Sequence, residues 1–148
     1  MQDLSASVAP TPRWEHFQHG SDIGIRGYGP DRAKAFAQAA LALTAVVTDP
    51  HRVRADVGVE IACASADDDV LFVDWINALI LEMAIHNMLF SRFEVEIDAD
   101  GLKALAWGEL VDVVRHRPAV EPKGATFTAL AAAPDSAGNW MVQCVVDV

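Results

Sequence analysis

Three carboxylates and one lysine of this chain could together make a cation-holding site, although they lie far apart in sequence. Asp22 sits in QHGSDIGIRGYG, Gln18 to Gly29, three residues after His19 and just ahead of an alternating apolar run. Asp147 is the penultimate residue, and the α-carboxylate of Val148 sets a second anionic group beside it. Ca²⁺ and Mg²⁺ select oxygen clusters of this kind. If the strand carrying Asp22 pairs with the C-terminal strand, the carboxylates converge and repel unless a cation or a lysine lies between them. Spacing alone leaves open whether they meet, and a solvated turn or strand end explains each acid singly. Lys123, in Glu121-Pro122-Lys123 ahead of GATFTAL, is either a solvent-facing charge or a compact donor that neutralises an acidic site.

Other chemistries find no support in the pattern. GxxxxGK[ST] is absent, and Gly24, Gly27 and Gly29 do not form GxGxxG, so the sequence has no phosphate-cradling loop. It has no GxSxG elbow, and neither Cys63 nor Cys144 has a neighbouring histidine that would activate a thiolate. Both cysteines lie in apolar, strand-like segments without metal-ligand spacing and read as buried thiols of a reducing compartment, which points to the cytoplasm. His16 and His19, three apart on a strand, point to opposite faces and make a poor pair for one zinc ion. Asp74, beside Trp75 in an apolar helix, reads as a polar margin or a satisfied acceptor.

The elements that must position these groups follow from periodicity. Trp14 to Gln18 and Ile23 to Tyr28 alternate at period two around a Gly-Ser turn. After Gly29-Pro30-Asp31, Phe36, Ala39, Ala40, Leu43 and Val47 recur at helical spacing, with Asp31 as cap and an end near Thr48-Asp49-Pro50. Val57 to Ala64 alternates as a half-buried strand. Asp67-Asp68-Asp69 then supplies a cap and negative charge for a core helix from Val70 to about His86, with Phe72, Ile76, Leu79, Ile80 and Met83 on its stripe. Phe90 to Asp98 and Leu102 to Leu110 form a hairpin about Ala99-Asp100-Gly101. Gly124 to Ala132 and Trp140 to Val148 form another about Pro134 to Asn139.

The order ββαβαββββ defines an α+β class: two helices packed on one mixed, largely antiparallel sheet. Residues 1–12 read as a flexible Ala/Ser/Pro lead-in and 13–148 as a single domain, since 148 residues suffice for one core. The longest apolar run, Val70 to Ile85, contains Asp74, Asn77 and Glu82 and is shorter than the roughly 20 apolar residues of a membrane span, so no membrane is expected. With 11 Lys plus Arg against 21 Asp plus Glu, the net charge of −10 repels phosphate and disfavours direct RNA binding. Service to RNA would go through a basic partner. Arg115, His116, Arg117 and Lys123 are the one local cationic patch and read equally as solvated charge.

Taken in order, several motifs resemble one known family. They are HxxDIGIRGYG at His19 to Gly29, AFAQAALALTAVVTD at Ala35 to Asp49, LFVDWINALI, FEVEID at Phe93 to Asp98 and AWGE at Ala106 to Glu109. The series from His116 through Glu121 and Lys123 to Thr126, and the terminal VVDV, complete them. From Trp14 to Val148 the chain resembles the archeases, accessory proteins of the RNA ligase that joins 2′,3′-cyclic phosphate or 3′-phosphate ends to 5′-hydroxyl ends in tRNA splicing and RNA repair.

The resemblance implies a divalent-metal site (Ca²⁺, or Mg²⁺ or Mn²⁺) at Asp22, Asp147 and Val148. It implies a ligase-activating role for Lys123 and His19, and a protein that promotes guanylylation and multiple turnover of its RNA ligase partner without joining RNA itself. The chain departs from the usual His-Thr-Ala-Asp at Gly20-Ser21, and from Lys-Ala-Ile-Thr-Tyr-His at Gly124-Ala125 and Phe127-Thr128. The acid and the lysine remain. A metal-dependent hydrolase using the same carboxylates, or a general chaperone-like binding module, are the competing readings.

Overall fold

The structure is a computed structural model that describes residues 11–148, so the lead-in expected over residues 1–12 lies outside the described residues except at its last two positions. Its elements are β1 (Arg13–His19), β2 (Asp22–Gly29), α1 (Arg32–Val47), β3 (Val57–Cys63), α2 (Asp68–His86), β4 (Met88–Asp98), β5 (Gly101–Leu110), α3 (Val113–His116), β6 (Gly124–Pro134) and β7 (Trp140–Asp147). A 3₁₀ turn at Pro50–Arg52 follows α1. The α+β order ββαβαββββ is present, with the short α3 added between β5 and β6.

The strands form two wholly antiparallel sheets, β1-β2-β7-β6 and β3-β5-β4, where the sequence reads as one mixed, largely antiparallel sheet. Each sheet turns one face inward, as the period-two pattern of its strands requires. Ile25, Val142, Cys144 and Val146 from the first sheet share a core with Ile61, Leu102, Ala104 and Ala106 from the second, together with Phe36, Leu43, Phe72, Trp75, Ile76 and Leu79 of the two long helices. Trp75 is fully buried, and its indole N–H donates to the Phe36 carbonyl at 3.0 Å, which ties α2 to α1. The expected caps are in place: Asp31 Oδ1 accepts from the Lys34 N–H, and Asp67 Oδ1 from those of Asp69 and Val70. No helix of the described residues is long and apolar enough to cross a membrane.

Close contact between β2 and α1 depends on glycine. A Cβ at Gly27 would stand 2.3 Å from the Ala35 carbonyl oxygen and 2.5 Å from the Ala39 nitrogen, so the Gly-rich strand and the Ala-rich helix meet backbone to backbone. β2 runs away from Asp22, and α1 returns. Arg32 Nη1 reaches Asp68 Oδ1 at 2.6 Å where both long helices begin. The C-termini of both helices therefore lie at the end of the molecule where β2 and β6 start and β7 finishes.

Candidate functional site

At that end the register brings together what the sequence separates by more than a hundred residues. β2 and β7 pair antiparallel with Ile23 opposite Val146, so the next position of each strand sets Asp22 beside Asp147. Across the β1–β2 hairpin, His19 is the partner of Asp22. Gly124 pairs with Asp147, and the Lys123 backbone N–H donates to the Asp147 carbonyl at 2.8 Å. Val148, the next residue of the chain, packs partly against the core.

Strand alternation settles which way the acids lie. Ile23, Ile25, Val142, Cys144 and Val146 face the helices, so Asp22 and Asp147 belong to the opposite, solvent-side face of the sheet. Both are half-buried, and Lys123 and His19 are exposed. The two-residue turn between His19 and Asp22 is closed by Gly20 at φ 61°, the left-handed conformation that the first turn position of a II′ hairpin requires. The departure to glycine there is thus accommodated by the turn itself.

Among the described residues, none of the side chains of His19, Asp22, Lys123 and Asp147 makes an ion pair or a hydrogen bond with another side chain. Nor do any three His, Cys, Asp or Glu side chains among the described residues converge closely enough to hold a metal by themselves. Two aspartates offer hard oxygen of the type Ca²⁺ and Mg²⁺ prefer, which fits such a cation chemically. Its remaining ligands would have to come from the Val148 carboxylate, main-chain oxygen or water.

Of the cationic patch read at Arg115, His116, Arg117 and Lys123, the first two are not solvated charge, while Arg117 and Lys123 are exposed. Arg115 donates to Glu109 through two nitrogens, each at 2.7 Å, in a bidentate pair. His116 is fully buried. The Asp112 backbone N–H donates to its Nδ1 at 2.8 Å, which leaves Nε2 to carry the proton and donate to Glu109 at 3.0 Å. The Arg54 N–H is a further donor to the same carboxylate at 2.7 Å. The Arg115 hydrogen bonds, with help from Arg54 and His116, hold the Glu109 carboxyl well below the usual carboxylate range.

This network fastens the segment from β5 to β6 that ends in Lys123. Thr48 Oγ1 donates to the His116 carbonyl at 2.5 Å, and the Ala119 N–H donates to the Val47 carbonyl at 2.8 Å. In the sequence Glu109 stands out only as the last residue of AWGE. Its separation of six and seven residues from Arg115 and His116 across a strand end gives no periodic signal. In the sequence Asn77 is only a polar break in an apolar run. Its Oδ1 accepts the Ala125 N–H at 2.8 Å and seats α2 against the start of β6.

β6 also differs from expectation. Its ladder with β7 breaks between Thr126 and Ala131, where four residues of β6 stand against Cys144 alone and Ala129 takes φ 53°. Gln143 Nε2 donates to the Ala129 carbonyl at 2.9 Å and holds the bulge, which presents Phe127 to solvent. Of the two cysteines, both free, Cys144 is fully buried, and burial pushes its thiol up to about 12, whereas Cys63 is only partly buried.

Comparison with known proteins places this geometry in context. The family model described as Archease protein family matches residues 14–148. "Protein archease" of Pyrococcus abyssi is 34% identical over 140 residues, covering 92% of this chain and 99% of that one. "Protein archease" of Sulfolobus acidocaldarius is 33% identical over 138 residues, with the same shares. The solution structure of Methanobacterium thermoautotrophicum protein 1598 superposes with a TM-score of 0.79 at 31% identity, covering 91% of this chain and 98% of that one.

Proposed function

The chain belongs to the archease family, and from that premise we propose that it is an accessory protein that activates an RNA ligase. In this reading it promotes the ligase's guanylylation and repeated turnover in tRNA splicing or RNA repair, and does not join RNA itself. The observation that carries the proposal is the meeting of Asp22, Asp147 and Lys123 at one sheet end. Three segments distant in sequence supply groups there, and no side chain among the described residues neutralises the two acids.

The residues have distinct parts. Asp22 and Asp147, with the Val148 carboxylate, would hold a divalent cation, Ca²⁺ or Mg²⁺ or Mn²⁺, whose charge relieves the repulsion between them and polarises an oxygen brought against it. The Asp147 main chain fixes where Lys123 leaves the ladder. Its compact ammonium can then reach phosphate or carboxylate of the partner from the edge of the acidic site. His19 lies across the hairpin from Asp22, placed to donate or accept a proton at the same edge. The overall charge of −10 supports contact with RNA only through the ligase, which supplies the cationic surface that phosphate needs.

The test is a multiple-turnover ligation assay with the ligase of the same cell, GTP and a divalent cation, with and without this protein. The wild type is expected to raise turnover number, and Asp22→Ala or Lys123→Ala to remove the effect with the fold intact. No stimulation by the wild type sinks the proposal. Phosphodiester cleavage by the protein alone, lost in Asp147→Ala, would replace it with a hydrolase.

A further inference from the structure

The end of the molecule that carries Asp22, Asp147 and Lys123 also gathers large apolar side chains that nothing in the chain covers. Leu81 and Ile85 lie one and two helical turns beyond Asn77, the residue that seats α2 on β6 beside Lys123. Leu110 ends β5 opposite Met88, the first residue after the α2 cap, and the Val111 N–H donates to the Asn87 carbonyl at 2.9 Å. Val113 and Val114 follow in α3, and Phe127 stands on the β6 bulge, three residues from Gly124. These six are between 57% and 84% exposed. The opposite end, where α1 and α2 begin, leaves Val70 at 39%.

Four elements thus present exposed apolar side chains at one end, a concentration of the kind that marks an interaction surface. Charged groups of both signs stand among the apolar residues, exposed Asp112, Arg117, Glu121 and Lys123 on the β5-to-β6 segment, beside the half-buried Asp22 and Asp147. The chain as a whole carries −10. Two copies at this net charge repel one another, so charge favours a partner of opposite net sign. We propose that this end docks one protein partner whose contacting surface presents apolar side chains rimmed by Lys and Arg. Resting on the proposed function, that partner is the RNA ligase, and the apolar contacts hold it while the acidic site faces it. The apolar centre supplies affinity, the net negative charge of the chain supplies approach, and the mixed charges around the centre supply register.

Two paired variants on separate elements test this: Leu81→Ser with Ile85→Ser, and Val113→Ser with Val114→Ser. All four positions are exposed, so folding is checked only by circular dichroism. In titrations of the same-cell ligase, each pair should raise the concentration giving half-maximal stimulation by about tenfold or more, while stimulation at saturation stays that of the wild type. Added salt should weaken wild-type binding further. Unchanged half-maximal concentrations for both pairs, with wild-type stimulation intact, overturn the docking face but not the function. No stimulation by the wild type at any concentration overturns the function on which the docking face rests. Wild-type dimers in sedimentation that the paired substitutions dissociate overturn the heterologous partner in favour of a second copy.

Discussion

Two clusters of acid, base and histidine in this molecule have nearly the same composition and opposite character. Around Glu109, every strong group is engaged: Arg115 twice, His116 through one nitrogen, and the Arg54 amide, with His116 itself fully buried. Around Asp22, the backbone ladder is closed, yet the side chains of Asp22, Asp147, Lys123 and His19 pair with no other side chain among the described residues. An acid whose acceptor capacity is used by its own chain contributes to stability. One whose capacity is free at a half-buried edge is available to something else. The sequence inverts this contrast, since Arg115 and His116 look like loose surface charge until the fold closes on them.

Substitution at Glu109 should have the largest effect on stability. Glu109→Ala leaves the buried His116 N–H without an acceptor and Arg115 without its bidentate partner, an expected loss of about 3 kcal/mol. Differential scanning calorimetry should show this as a melting temperature lower by roughly 10 °C. A variant that melts with the wild type would break the distinction between the clusters.

The pH dependence of the same residue sharpens it. Because the folded carboxyl is held below its unfolded value, its contribution is fully present above about pH 4.5 and is lost as pH falls from there toward the lower folded value. Wild-type stability should therefore drop on acidification, and the gap between wild type and Glu109→Gln should narrow in that window. Urea titrations at several pH values measure both.

Cation linkage comes next in size. A divalent cation at about ten times its Kd should stabilise the wild type by about 1.4 kcal/mol. Chelation should reverse this, and Asp22→Asn should abolish it. A thermal shift with Ca²⁺, Mg²⁺ and Mn²⁺ in turn measures it, and no stabilisation by any of the three would remove the cation from the proposed site. Extending the chain past Val148 should reduce the shift if its carboxylate is a ligand.

Asn77→Ala should cost about 1 kcal/mol, since it removes the acceptor of the Ala125 N–H where α2 meets β6. The smallest effect belongs to the open cluster: without added cation, Lys123→Ala and Asp22→Ala should unfold within about 0.5 kcal/mol of the wild type. Larger losses there would mean that these groups, too, are structural.

Much of the scaffold was legible because short-range physics governs it. Asp31 and Asp67 announce their helices, since a carboxylate reaches N–H groups only two or three residues away. Gly20-Ser21 and Ala99-Asp100 announce hairpins, since a turn is a local conformational preference. The division into two sheets was not legible, because a strand's alternation says that one face is buried but not which neighbour lies beside it. The β6 bulge escaped for the same reason: ATFTAL reads as a continuous strand, and the interruption becomes visible only against β7.

By itself, then, the sequence determined every element but the short α3, their order, most of the residues that face inward and, by resemblance, the family. Those follow from spacing along one chain, where backbone geometry fixes which positions share a face. Tertiary structure alone decided that Asp22 stands beside Asp147, that Glu109 closes over His116 and that Leu81 and Ile85 share an end with Lys123. Register, closure and shared surface are relations between segments whose contacts are set by packing of the whole core, and no local pattern encodes them.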